Sequence, residues 1–275
     1  MDEVKNQHTV PVCYLANFGI DGNKKRDSQV YFYDTLTSKT RCISVVNIAN
    51  EKFFYDNPDW GEHKQIIEHL FTEVEGNYST ISSCILPRIE DVLRFPIPNT
   101  GIISIEEKEK LAAFFAFQFI RTRQFREQCR DMYEQLHAHF PIPDCTEETL
   151  RSIHTQGIIN FRLVNFLANI LTDWNWVIML NKTEVPFITS DNPVIAINRS
   201  LESEGISLAN PELTYYVPLS PKIAIEIIHR NLLKADRCTV IVLDARMIKT
   251  YNMYLEDQCT RFLYSNQPFQ GGKLN

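Results

Sequence analysis

Glycine is scarce in this chain, nine residues in 275, and none of them builds a phosphate cradle. Neither G-x-x-x-x-G-K-S/T nor G-x-G-x-x-G occurs, so P-loop and Rossmann nucleotide sites are excluded and no nucleotide cofactor is expected. H-E-x-x-H and the G-x-S-x-G elbow are also missing. The seven cysteines (Cys13, Cys42, Cys84, Cys129, Cys145, Cys238 and Cys259) include no C-x-x-C half-site. That spacing suits reduced thiols rather than a disulfide framework or a structural zinc site. No apolar run approaches the roughly 18 residues of a membrane span, and the acidic Met1-Asp2-Glu3 start is unlike a secretory signal. The expectation is a soluble cytoplasmic protein with no membrane partner. Basic charge is lacking as well. The formal net charge is -6, which argues against coating nucleic acid by charge alone, though not against a local basic groove.

What is present is an ordinary globular composition, 44% hydrophobic and 23% charged. Gln29–Leu36 reads as an aromatic strand, with Thr40–Val46 as its hairpin partner. Between 66 and 86 the residues Ile67, Leu70, Phe71, Val74, Tyr78, Ile81 and Ile85 form a helical stripe. Pro87, Pro96 and Pro98 are read as its end. Ser104 with Glu107 predicts a capping box for a helix from about 105 to 138. Thr146 with Thr149 opens another, to about Thr172. Short strands follow over 176–180, 187–190, 194–197, 215–219, 223–228 and 239–243, then a closing helix over 244–257 and a last strand at 262–264. The order is α+β: an N-terminal hairpin, central long helices, and a C-terminal mixed or antiparallel sheet that pairs with the N-terminal strands. One domain over 1–275 is expected, with 1–60, 61–173 and 174–275 as the natural subdivision.

Several polar residues stand in apolar surroundings. At about 100° per residue, Leu111, Phe115, Phe125, Cys129, Met132 and Leu136 all fall close to Gln118 on the helix wheel, with Thr122 inside the stripe and Arg121 at its edge. Either Gln118 makes a structural hydrogen bond to a loop backbone and Arg121 pairs a carboxylate, or they form a polar pocket floor in which Arg121 presents its fork to a phosphate or carboxylate. Arg123, Arg126 and Arg130 share another face and read as solvated. His8 can be a general base, a metal ligand or a structural donor. His154 reads as a satisfied core histidine. Asp191-Asn192-Pro193 follows an apolar run ending in Thr189-Ser190; it is either a strand-connecting turn or a carboxylate held for metal or base work. Glu51 precedes Phe53-Phe54-Tyr55, and Glu68, Glu73 and Glu75 flank the 66–86 stripe; most read as surface charges, and one or two of them can reach a pocket at a helix edge.

These segments resemble the domain of unknown function 4238 family, found mostly in bacteria. The resemblance lies in Gln7-His8-Thr9-Val10-Pro11 with Tyr14-Leu15 and Phe18, Val30–Asp34, Asn47–Tyr55, the Glu68/Glu75 helix, Gln118 with Arg121-Thr122, Ile188–Val194 and Pro218-Leu219-Ser220-Pro221. Thr9 departs from a common aromatic residue and Arg123 from a common proline. The resemblance implies a single family domain and carries no established activity. Motif and periodicity coincide at His8, Gln118, Arg121, Asp191 and Asn192, which points to one shared pocket.

The leading expectation is a hydrolase of nuclease or phosphodiesterase type. Its pocket would form where the N-terminal strand, the 105–138 helix and the turn after Ser190 meet. There His8 is general base or metal ligand, and Asp191, with Glu51 or Glu75, holds a divalent cation such as Mg2+ or Mn2+. Arg121 stabilises phosphate charge, while Gln118 and Asn192 orient water or substrate. Nucleic acid is then the substrate, and bacterial phage defence or toxin action the setting. The competing expectation is a non-catalytic module that binds a small anion or a partner protein in a complex.

Overall fold

β-branched and aromatic residues alternate across the strands of the C-terminal half, and that alternation sets the layers. The computed structural model describes residues 3–20, 22, 26–92, 101–198, 208–232 and 238–269. The first part contains β1 (Asn6–His8), a short helix α1 (Val12–Leu15), β2 (Gln29–Asp34), β3 (Lys39–Ser44) and β4 (Asn50–Lys52). Helices α2 (Ile66–Asp91), α3 (Ile105–Ile120), α4 (Arg123–His137), α5 (Glu147–Ile159) and α6 (Phe161–Asp173) follow. The last part holds β5 (Asn175–Asn181), β6 (Thr189–Ser190), β7 (Ile195–Asn198), β8 (Leu213–Ser220), β9 (Ile223–Ile228), β10 (Cys238–Leu243), α7 (Ala245–Gln258) and β11 (Phe262–Ser265).

The strands form three sheets. One has the order β10-β5-β9-β8-β7 and is antiparallel except for the parallel β10–β5 pair. A second, β3-β2-β11-β6, joins the N-terminal hairpin to the C-terminal strands, as the α+β reading expects. The third is the β1–β4 ladder, in which His8 faces Asn50 and Gln7 faces Glu51. The central strands β5, β9 and β8 are buried on both faces, and side chains alternate between them. Trp176, Ile178, Tyr215, Val217 and Ile225 join the core under the helices. Val177, Met179, Tyr216 and Ala224 join the core that includes Ile248 and Leu255 of α7. No described helix is long and apolar enough to cross a membrane.

The expected 105–138 helix is two helices. Arg121 is the C-cap of α3, and Thr122 has extended dihedrals (φ -81, ψ 161) with its hydroxyl accepting from Phe125 N–H as the N-cap of α4. A Thr hydroxyl competes for backbone donors in this way and favours a cap over a helix interior. The break makes Arg123 the first residue of α4, a position where the fixed φ and missing N–H of a proline would cost nothing. Met132 and Leu136, placed beside Gln118 by a continuous wheel, are 54% and 46% exposed. The expected 146–172 helix is likewise divided, at Asn160, whose side chain accepts from Arg162 N–H. Pro87 lies inside α2 near its end, where Arg88 is held by Glu107 and the Ile102 carbonyl. Pro96 and Pro98 lie outside the described residues. The Ser104–Glu107 capping box is present in both directions.

Replacing Thr122 by Ala is expected to lower stability by about 1 kcal/mol, measured as a shift of the urea midpoint at constant slope.

Candidate functional site

About two helical turns separate Glu68 from Glu75, so both lie on one line of α2, with Phe71 beside that line. Arg121 fills the space over this stripe. Its guanidinium carbon is 3.9 Å from the Phe71 ring centroid and 5.9 Å from that of Tyr55. Nη1 donates to Glu75 Oε1 at 2.8 Å, and Nη2 donates to the His8 carbonyl. The Tyr55 hydroxyl donates to the Arg121 carbonyl at 2.7 Å and lies 3.3 Å from the His8 carbonyl. Gln7 accepts from Tyr55 N–H at 2.6 Å and donates to Asp56. Gln118 donates to the Thr9 carbonyl at 3.0 Å. Gln7, His8 and Thr9 are therefore fastened in turn to Tyr55 and Asp56, to Arg121 and to Gln118.

Four polar atoms in this cluster are buried without a hydrogen-bond partner: His8 Nε2, Glu68 Oε1, Gln118 Oε1 and Arg121 Nε. Buried polar atoms are nearly always paired, so such a concentration calls for an explanation. The charges are also displaced. Burial pushes the Glu68 carboxyl up to about 7, with Glu75 and Asp56 adding to the rise and Arg121 opposing it. Burial moves His8 the other way, below its ordinary value; Glu75 and the Val46 carbonyl oppose that fall while Arg121 adds to it. Burial also works against the charge of Arg121, but Tyr55 and Glu75 more than offset it. Arg121 is only 2% exposed and both of its terminal nitrogens are engaged. Its fork is not presented to a phosphate.

The other expected site residues lie at a neighbouring cleft of about 520 Å³, lined by Thr9, Leu36, Ala49, Asn50, Glu51, Arg123, Asp191, Thr260, Arg261, Phe262 and Tyr264. The N-terminal strand, the start of α4 and the turn after Ser190 do meet here. They contribute Thr9, Arg123 and Asp191 in place of His8, Gln118 and Arg121. Asp191 accepts from the backbone N–H of Thr260 (2.9 Å), Arg261 (2.8 Å) and Phe262 (3.0 Å). Burial pushes its carboxyl up to about 6 despite those three donors. Asn192 donates to the Gln258 carbonyl at 3.0 Å, and the Ser190 hydroxyl bridges the Asn192 backbone. Glu51 pairs with Arg123.

His8, Gln118, Arg121 and Glu75 are thus assembled in one place, and Glu51 and Asp191 in another, with Asn192 tying the Asp191 turn to the end of α7. Among the described residues no three His, Cys, Asp or Glu side chains converge as a cation site requires. His154 is a satisfied core residue as expected: Nδ1 accepts from Arg126 Nε at 3.0 Å, Nε2 lies 2.8 Å from the Ile120 carbonyl, and burial moves it down to about 3. Arg126, read as solvated, is buried at 8% exposure and stacks 3.5 Å from the Phe54 ring centroid. Sequence reasoning left Glu68 and Tyr55 outside the site. The spacing of Glu68 and Glu75 carried that signal, because a repeat of seven returns to the same helix line within about 20°.

Comparison with curated proteins and with solved structures finds no significant match. A family model described as protein of unknown function, DUF4238, matches residues 6–268. That span takes in every segment of the cluster and the cleft, and the chain belongs to this family.

Proposed function

We propose that the chain is a hydrolase whose acid–base pair is Glu68 and His8. The observation that carries this reading is that four buried polar atoms without partners, Arg121 Nε among them, belong to one cluster whose carboxyl and imidazole are displaced in opposite directions. Titratable groups driven apart by their surroundings are the usual arrangement for assigning acid and base. The imidazole stays neutral near pH 7 and can take a proton from water as it attacks. The Glu68 carboxyl, pushed up by burial to about 7, gives a proton to the oxygen that leaves. Arg121, paired with Glu75 and the His8 carbonyl, holds the two groups in place, and its charge acts on both. The narrower form of the proposal is that the bond broken is a phosphodiester of nucleic acid. No step is routed through a metal ion.

His8 holds Arg121 and Tyr55 through its carbonyl, and its ring meets the Val46 carbonyl. A His8→Gln variant keeps the carbonyl bonds and offers an amide N–H to the Val46 carbonyl while removing the imidazole. The protein is incubated with RNA, single-stranded DNA and duplex DNA, with Mg2+ or Mn2+ and with chelator. Cleavage is expected from the wild type and is expected to fall by about 100-fold or more in His8→Gln. Cleavage of none of the three removes the nuclease form, and cleavage indifferent to His8→Gln removes the site.

A second reading has its own observation. Gln7, Gln118, Arg121 and Asn192 all bond to backbone groups, as they would in a binding module whose polar core serves architecture. In that case His8→Gln and wild type behave alike in every assay of turnover.

A further inference from the structure

The cleft at Asp191 has an inventory of its own. Arg123 places Nε and Nη2 on Glu51, and Arg261 places Nε (3.0 Å) and Nη2 (2.7 Å) on Asp34. Each guanidinium is held from behind by a carboxylate. Each leaves Nη1 with no hydrogen bond among the described residues, and both side chains line the same cleft. Arg261 is further fixed over the Phe262 ring, 4.8 Å from its centroid. A third donor is Tyr264, which is 1% exposed, lines the cleft and has a buried hydroxyl with no partner.

The cleft's carboxylates are already covered. Glu51 and Asp34 each receive two arginine N–H groups, and Asp191 receives three backbone N–H groups. The Asn50 amide N–H groups go to the Val46 and Ile48 carbonyls, and the Thr9 hydroxyl goes to the Ala49 carbonyl. Besides the spare lone pairs of these carboxylates, the acceptors left over are Asn50 Oδ1 and the hydroxyl oxygens. The donors left over are two oriented guanidinium edges and a phenol. These donors suit a group rich in acceptor oxygens, and carboxylate-oriented arginines are the geometry that recognises it.

We propose that this cleft binds a phosphate group, gripped by Arg123 Nη1, Arg261 Nη1 and the Tyr264 hydroxyl. The β1–β4 ladder carries His8 for the cluster and Asn50 and Glu51 for the cleft. Binding in the cleft does not depend on whether the cluster cleaves anything. The phosphate can belong to a small molecule or to a nucleic-acid backbone.

Isothermal titration of the full chain with inorganic phosphate, adenosine monophosphate and a short oligothymidylate separates these sources. Saturable binding is expected, weakened about tenfold or more in Arg123→Gln, as loss of one charge-assisted hydrogen bond implies. Tyr264→Phe removes the third donor without removing the ring and is expected to weaken binding in the same direction. Phosphate and the mononucleotide binding as well as the oligomer assigns the site to small phosphates. Binding of the oligomer alone, with affinity falling steeply in salt, assigns it to the backbone. The proposal is overturned if none of the three probes binds at millimolar concentration, or if binding is unchanged in both variants.

Discussion

Arg121→Met is expected to destabilise the protein by about 3–5 kcal/mol, the range for removing one partner of a buried ion pair. For a chain of this size that corresponds to a fall of roughly 6–20 °C in Tm. The loss has several sources that act together. Glu75, 28% exposed at its side chain, keeps a charge with no partner. The His8 carbonyl loses a charge-assisted donor, and Phe71 and Tyr55 lose the guanidinium packed on their faces. The double variant Arg121→Met, Glu75→Gln is expected to recover part of the stability, because most of the cost of the single change is the stranded carboxylate. Thermal melts of the two variants decide the matter. A single-variant loss under about 1 kcal/mol would mean that Arg121 is solvated in solution and that the cluster is not assembled as described.

The α+β order, the hairpin, the pairing of chain ends and the Ser104–Glu107 box were legible in the sequence because each rests on local periodicity or a local side-chain bond. The division at Thr122 was not, because apolar spacing continues through it: Phe125 and Cys129 fall in phase with Leu111 and Phe115 although they belong to another helix. The hydroxyl that ends the pattern is a capping signal, which periodicity ignores. Within the site, Gln118 and Arg121 were found for their polarity on an apolar helix, and both are buried. What the sequence did not disclose is the partition between cluster and cleft. His8 and Thr9 are adjacent, yet His8 belongs with Arg121 and Thr9 lines the cleft with Asp191. Neighbouring residues on an extended chain point opposite ways, so a motif read as one unit serves two places.

Glu68→Gln is expected to move stability and turnover in opposite directions. The Glu68 carboxyl stands at about 7 in the folded protein against 4.5 for a free side chain. Between those values the folded state holds a proton that the unfolded chain has released, so this group makes the protein less stable as pH rises from about 4.5 to about 7. The penalty is complete above pH 7 and absent below pH 4.5. Glutamine has the same shape and no charge to desolvate. The variant should match wild type near pH 4 and exceed it by about 1–3 kcal/mol at pH 8, after allowance for screening at a half-buried side chain. If Glu68 is the proton donor, the same substitution lowers hydrolysis by about 100-fold or more. A desolvated carboxyl with no part in the chemistry would show the same gain in stability with no change in turnover. A carboxyl that costs stability at working pH and is needed for turnover is strained in the service of chemistry. Denaturant titrations at pH 4 and pH 8, run beside the cleavage assay, separate these outcomes. Equal stability of Glu68→Gln and wild type at both pH values would show that the carboxyl is not desolvated, and it would take the acid half of the proposed pair with it.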